Sequence, residues 1–239
     1  MIESPQNEKL KLVRKLRERK HREREGLFAT EGEDLLEAGL ASGAEPKLVL
    51  VAAGSGIAGE GVEPALLTEV STLGSGTRAI AVWPLRRADA TRTPCFYLHG
   101  VGDPGNVGTI VRTADALIEG SVVLGPDCAD AYSPKAVRAS MGSIFSRPPA
   151  KADFADTPQP RVALLPHGGE ELDTLAGAAT VCLGAEREGL PEEVVAACDR
   201  TVTIPLRKGG PDSLNVAAAA AIAAQRLSSL AMEEARPDA

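Results

Sequence analysis

The glycines of Gly100–Gly105 have the spacing G-x-G-x-x-G, directly after an apolar segment and before a helical pattern. Asp127 follows about twenty residues later, so the pattern is compatible with a dinucleotide site, where backbone N–H groups bind a pyrophosphate. Pro104 lies inside this turn, and proline has a fixed φ and no N–H to donate. We therefore do not favour a nucleotide-dependent oxidoreductase.

Arg112 is the cation that follows this turn, about two helical turns after Asn106, which is an expected N-cap. The local sequence favours a surface ion pair between Arg112 and Asp115, three residues on. A guanidinium is effectively always protonated, so Arg112 cannot act as a base, but it can stabilise a developing negative charge. On the local sequence alone, the surface ion pair is the favoured role of Arg112.

Two later segments are also glycine-rich turns that join a strand to a helix. In Leu183–Leu190, Gly184 allows a ligand to approach the backbone closely. In Ile204–Val216 a basic loop leads to Asp212 and Ser213, either of which is an expected N-cap. The helix that follows is rich in alanine, which favours helix and permits close packing.

The elements that must position these turns form two α/β series separated by the polar linker 86–94. Hydrophobic periodicity predicts helices over 6–24, 33–42, 106–119, 133–140, 191–197 and 214–231, and strands over 26–32, 47–52, 78–83, 95–99, 121–125, 161–165, 180–184 and 201–204. We expect domains at 1–85 and 95–235, and a disordered tail at 236–239.

The composition constrains the partners of the chain. Its net charge is −7, which argues mildly against a nucleic-acid partner, but Lys9–Arg24 carries nine Lys/Arg against two Glu. This stretch is either a phosphate-binding arm or an amphipathic helix with Leu10, Val13 and Leu16 inward. Scattered cysteines and histidines predict reduced thiols and no metal. We expect neither a signal peptide nor a membrane span, and hence a cytoplasmic protein.

The three segments Gly102–Ala114, Leu183–Leu190 and Ile204–Val216, in this order, resemble the three motifs of the SpoU (TrmH-type) family of RNA 2′-O-methyltransferases. The resemblance covers the second half of the chain. It implies a trefoil-knotted SPOUT α/β domain, S-adenosylmethionine as methyl donor, an RNA ribose as acceptor, and a homodimer formed through the C-terminal domain. No metal is implied, because the sulfonium of the donor is already activated.

The resemblance also assigns roles to individual residues. The active-site residues that it implies are Asn106, Arg112, Glu186, Ser213 and Asn215. The cofactor-binding residues that it implies are Leu164, Leu165, Pro166, Gly184, Ile204, Leu206 and Leu214. The loop 207–212 is one residue longer than the family spacing, so the contacts of this loop do not transfer.

The pattern over 19–32 resembles the opening of the ribosomal-protein-L30e-like domain that precedes many SpoU domains. It implies an RNA-binding role for 1–85 and favours 23S ribosomal RNA over transfer RNA. The RNA-contacting residues that we expect are Lys15, Arg19, Arg22 and Arg138. For Arg138 and Ser140, a capped surface helix is an equal alternative. A cofactor- and RNA-binding protein without catalysis also remains open.

Overall fold

The computed structural model describes residues 1–73 and 76–235, so the tail expected at 236–239 lies outside the described residues. The chain divides into two compact units. The first comprises Met1–Arg86 and Asp130–Ser146, and the second comprises Arg87–Ala129 and Arg147–Ala239. The segment 130–146, which the sequence places in the second domain, therefore groups with the first unit.

The elements are numbered in chain order. The helices are α1 (Glu8–Lys15), α2 (Arg19–Glu25), α3 (Glu33–Ala41), α4 (Pro64–Val70), α5 (Pro104–Leu117), α6 (Pro134–Ser140), α7 (Ser143–Ser146), α8 (Glu192–Ala196) and α9 (Val216–Glu234). The strands are β1 (Leu27–Glu31), β2 (Leu48–Ala52), β3 (Glu60–Val62), β4 (Ala79–Pro84), β5 (Cys95–Leu98), β6 (Val122–Leu124), β7 (Ala150–Lys151), β8 (Arg161–Leu165), β9 (Thr180–Leu183) and β10 (Arg200–Thr203). The short elements α4, α7, β3 and β7 have no counterpart in the sequence prediction, which placed a loop over 54–61 where β3 begins.

The first unit contains a four-stranded sheet with the order β1-β4-β2-β3. The strand β4 is antiparallel to both of its neighbours, whereas β2 and β3 are parallel. Leu10 and Val13 of α1 pack with Leu50, Ile80 and Val82 of the sheet in one apolar core. The inward-facing positions that the sequence assigned to this helix are thus confirmed as core.

The prediction of one helix over 6–24 is wrong, because the chain breaks between α1 and α2. The break leaves the carbonyl of Leu16 outside a continuous helical ladder. The guanidinium of Arg22 satisfies it with a 2.7 Å hydrogen bond and also donates to Asp130 over 2.9 Å. Arg22 is only 3% exposed. A buried arginine therefore satisfies the carbonyl that the break leaves without a helical partner.

The second unit contains a six-stranded sheet with the order β10-β8-β9-β5-β6-β7, in which all pairs are parallel. The carboxyl ends of β5, β8, β9 and β10 therefore open on the same edge of the sheet, where ligands of open parallel sheets bind. The helix α5 packs against α9 on this sheet. The three glycine-rich turns therefore lie close together at this edge of the sheet.

Two expected absences can be compared with the described part of the chain. None of the helices within residues 1–73 and 76–235 is long and apolar enough to cross a membrane. Over the same residues, no cluster of three or more His, Cys, Asp or Glu side chains is placed to hold a metal ion.

We predict that Arg22→Met destabilises the first unit, because it leaves the Asp130 carboxylate without its buried partner. The expected loss is about 3 kcal/mol, measured as the free energy of unfolding in urea. The control is Arg24→Met, whose guanidinium is exposed and pairs with the neighbouring Glu25. A loss at Arg22 no larger than at Arg24 would contradict the structural role of this ion pair.

Candidate active site

The start of α5 differs from the sequence prediction, in which Asn106 caps this helix. The N-cap is Asp103, whose Oδ1 accepts the Asn106 N–H over 3.0 Å. Pro104 then occupies the first helical position, which suits proline because the N–H there has no helical partner. With Asp103 as the cap, the side chain of Asn106 is free to bind elsewhere.

The amide of Asn106 bridges two other chain segments. Its Nδ2 donates to Glu186 Oε1 over 2.7 Å, and its Oδ1 accepts from Asn215 Nδ2 over 3.1 Å. Asn215, rather than Asp212 or Ser213 as predicted, is the N-cap of α9: its Oδ1 accepts from two backbone N–H groups of the first turn. The capping bond orients the Asn215 amide, which in turn orients that of Asn106. We call Asn106, Glu186 and Asn215 together the amide chain.

An apolar cavity of about 320 Å³ lies beside the amide chain. All seven residues predicted to bind the cofactor line it: Leu164, Leu165, Pro166, Gly184, Ile204, Leu206 and Leu214. Glu186 and Ser213 also line it. The sequence prediction missed the lining residues Leu190, Val216 and Ala219, because apolar residues of this kind look like ordinary core.

Gly184 stands where two backbone segments of this cavity wall meet. A Cβ added to it would lie 2.1 Å from the carbonyl carbon of Gly189. Ala185 and Gly189 close the turn with two reciprocal backbone hydrogen bonds, and Gly189 has the left-handed φ of +71° that favours glycine. The wall is therefore a tight, backbone-lined turn, as the sequence predicted for Gly184.

A second, more open cavity of about 630 Å³ adjoins the first, and we call it the polar cavity. It shares the segment 185–188 with the apolar cavity. The amide chain, Gly100, Gly102 and Asp103 complete its lining. Asn106, Glu186 and Asn215 thus present hydrogen-bonding groups at the junction of an apolar and a polar cavity.

Arg112 is exposed on α5 and lines neither cavity. The carboxylate of Asp115, the surface partner expected from the local sequence, lies 3.6 Å from Nε of Arg147. The structure therefore brings together Asn106, Glu186, Asn215 and Ser213, but does not place Arg112 with them.

The environment of the second unit shifts the pKa of several of its ionisable groups. Burial raises the pKa of Tyr97 to about 12, and it also raises the pKa of Cys95 and Cys128. The Sγ atoms of Cys182 and Cys198 are 3.9 Å apart. Their hydrogen bond raises the pKa of Cys182, which burial raises further, and lowers that of Cys198. All four cysteines are free thiols, as predicted.

The residues predicted to contact RNA have different environments in the first unit. Lys15 and Arg19 are exposed. Arg138 is half-buried and donates to Thr72 Oγ1 over 2.8 Å. The guanidinium of Arg22 is interior, as described above. Ser140, considered as an RNA-facing residue, is fully buried and donates to the Val137 carbonyl, so that expectation is wrong.

Two family models match this chain. The model of the SpoU rRNA methylase family matches residues 94–225, and that of the MRM3-like substrate binding domain matches residues 7–81. The first match spans the residues that form the amide chain and both cavities. The second lies within the first compact unit.

Relatives and solved structures agree with these matches. The chain is 32% identical to the 23S rRNA (guanosine(2553)-2′-O)-methyltransferase RlmP of Bacillus subtilis, covering 92% of this chain and 96% of that protein. An AdoMet-bound rRNA methyltransferase from Sinorhizobium meliloti superimposes with a TM-score of 0.82 at 26% identity, covering 99% and 98% of the two chains. A putative TrmH-family RNA methyltransferase from Porphyromonas gingivalis gives 0.81 at 32% identity, covering 96% and 99%.

We predict that Gly184→Ala weakens binding of S-adenosylmethionine by about tenfold or more, because its methyl group would displace the Gly189 backbone into the cavity. Isothermal titration calorimetry measures the Kd. The control is Gly61→Ala, where an added Cβ meets nothing within 4 Å. An unchanged Kd for Gly184→Ala would show that this turn is not part of the cofactor site.

Proposed function

The chain belongs to the SpoU rRNA methylase family, and from that premise we propose that it transfers a methyl group from S-adenosylmethionine to a ribose 2′-hydroxyl of 23S ribosomal RNA. The observation that carries the proposal is the amide chain, held at the junction of the two cavities. In this proposal the apolar cavity holds the cofactor and the polar cavity receives the ribose.

The residues of the apolar cavity suit S-adenosylmethionine. The volume of about 320 Å³ falls at the lower end of the range for small-molecule pockets. Leucine and isoleucine side chains offer an apolar surface for an adenine ring, and the turn at Gly184 brings backbone groups within reach of polar atoms. Glu186, on the wall shared by the two cavities, would offer a carboxylate to a cationic cofactor.

When bound, S-adenosylmethionine supplies a methyl group that its sulfonium has already activated for transfer. The amide chain and Ser213 bind and orient the ribose, so that its 2′-oxygen faces the methyl carbon. Holding two reactants in line accounts for much of the rate enhancement in such a reaction. The cofactor would give its methyl group to the 2′-oxygen, and the hydroxyl proton would leave to a phosphate or to water.

Arg112 acts electrostatically in this proposal. A guanidinium stays protonated in proteins, so Arg112 binds a phosphate of the target RNA through its positive charge. Arg112 is exposed on α5 rather than buried in either cavity, which leaves it accessible to an RNA backbone. Tyr97 and Cys182 line neither cavity, so neither is placed to take the hydroxyl proton.

The first unit supplies RNA binding in this proposal. Lys15 and Arg19 are exposed cations of the basic segment, and Arg138 is partly accessible on α6. Phosphate contacts of this kind give salt-dependent affinity without base specificity. The named activity of the Bacillus subtilis relative supports 23S ribosomal RNA as the substrate. Transfer RNA is the alternative substrate.

Three further properties belong to the proposal. A homodimer forms through the second unit, the C-terminal chain passes through a trefoil knot, and the protein acts in the cytoplasm. The support for a dimer is an exposed apolar row on α9, formed by Ala218 and Ile222 at helical spacing. A partly exposed isoleucine among alanines suits close helix packing.

The domain boundaries 1–85 and 95–235, with the linker 86–94, also remain proposals.

The test of the proposed function is transfer of labelled methyl from S-adenosylmethionine into total unmodified RNA, separated by size. We expect label in large ribosomal RNA, recovered as a 2′-O-methylnucleoside. Label in transfer RNA would keep the chemistry and reject the substrate. Absence of label, with the cofactor still bound, would favour a binding protein without catalysis.

In the same assay we predict that Arg112→Ala abolishes methyl transfer but leaves RNA affinity mostly intact. Arg112→Lys keeps a positive charge but not the planar fork of donors, and we expect it to remain strongly impaired. Near-normal turnover of Arg112→Lys would contradict a specific role for the guanidinium. RNA binding by fluorescence anisotropy separates a loss of chemistry from a loss of affinity.

For the dimer, we predict that Ile222→Glu produces a monomer, because it introduces a charge into the exposed apolar row of α9. Sedimentation equilibrium measures the mass, and Met232→Glu, another exposed apolar residue of α9 about ten residues along, is the control. A wild-type protein that is monomeric at micromolar concentration, or an Ile222→Glu protein that stays dimeric, would reject this interface.

A further inference from the structure

Asp103 has a defined task at the start of α5, and no role was assigned to it from the sequence. Its Oδ1 accepts the backbone N–H of Asn106 over 3.0 Å, while its carbonyl accepts the N–H of Val107 over 3.1 Å. Asp103 thus holds the backbone on both sides of the Asn106 α-carbon.

The position of Asn106 matters more than that of an ordinary helical residue. Its two amide atoms are engaged at the same time, one by Glu186 over 2.7 Å and one by Asn215 over 3.1 Å. A small shift of its α-carbon would break at least one of these bonds, because hydrogen bonds weaken steeply with distance and angle. The amide chain therefore depends on whatever fixes the first turn of α5.

The side chains of Asn106 and Asn215 use their hydrogen-bonding atoms differently. Asn215 caps α9 with its oxygen and uses only its nitrogen within the amide chain. Asn106 uses both amide atoms in the chain, so it cannot cap α5. Asp103 takes over the capping that the sequence pattern assigns to Asn106.

We propose that Asp103 is a positioning residue for methyl transfer, acting through Asn106 by fixing the first turn of α5. This inference rests on the proposed function. Asp103 lines the polar cavity, but its contribution is the hydrogen bond that it accepts rather than its charge. Any side chain that caps as well as Asp can then replace it.

Substitutions at Asp103 that differ in capping ability test this proposal. Asn and Ser cap helices about as well as Asp, whereas Ala does not. We expect Asp103→Ala to lower kcat by between about 10- and 100-fold at saturating substrates, since a small misplacement has that effect. Asp103→Asn and Asp103→Ser should restore most of the rate. The Kd for S-adenosylmethionine should stay unchanged, because Asp103 does not line the apolar cavity.

A matched control separates positioning from a general loss of stability. Asn7 caps α1 in the first unit, accepting the Lys9 N–H over 2.9 Å. We expect Asn7→Ala to lower Tm to a similar extent as Asp103→Ala without lowering kcat. Equal kcat values for Asp103→Ala and wild type would overturn the proposal. So would an Asp103→Asn enzyme as slow as Asp103→Ala, because the charge would then matter and not the cap.

An NMR readout keeps this test independent of activity. The side-chain amide resonances of Asn106, assigned by their loss in Asn106→Ala, should shift in Asp103→Ala and stay in place in Asp103→Asn. Resonances that do not move in Asp103→Ala would overturn the positioning role even if no RNA substrate had been found. A wild-type protein without methyl transfer would instead contradict the proposed function.

Discussion

The hydrogen bond between Asn106 and Glu186 is the interaction on which the architecture of the site depends. It joins the first turn of α5 to the loop after β9, and the bond from Asn215 adds the start of α9. Three segments that are far apart in the sequence are thereby held in one place. Neither asparagine amide can rotate without losing a partner, so the donors and acceptors of the polar cavity are fixed before any substrate arrives.

The parallel sheet of the second unit makes this convergence possible. Its strands β5, β8, β9 and β10 all end at the same edge, so each following loop begins close to the others. Short apolar strands require no particular residue to achieve this, since burial on both faces is sufficient. Glycines then allow the loops to pack closely together, above all Gly184, where any side chain would collide with the backbone of Gly189.

Much of this was predictable from the sequence, and the failures have physical causes. Strand and helix positions follow from hydrophobic periodicity, and the cavity residues follow from the motifs. The cap of α5 was misassigned because Asn106 and Asp103 are both good capping residues, and only the contact with Glu186 decides between them. The hydrophobic pattern does not show the break before α2, where Arg22 satisfies the Leu16 carbonyl and pairs with Asp130, more than a hundred residues away. Long-range polar contacts of this kind leave no periodic signal.

A double-mutant cycle on Asn106 and Glu186 tests most directly whether the amide chain acts as a unit. The rate of a single methyl transfer would be measured for Asn106→Ala, Glu186→Ala, the double variant and the wild type. Residues that act together are strongly non-additive, so the double variant should be about as slow as the slower single variant. Rates that fall by the product of the two single effects would show that Asn106 and Glu186 act independently, and would contradict the central role of their hydrogen bond.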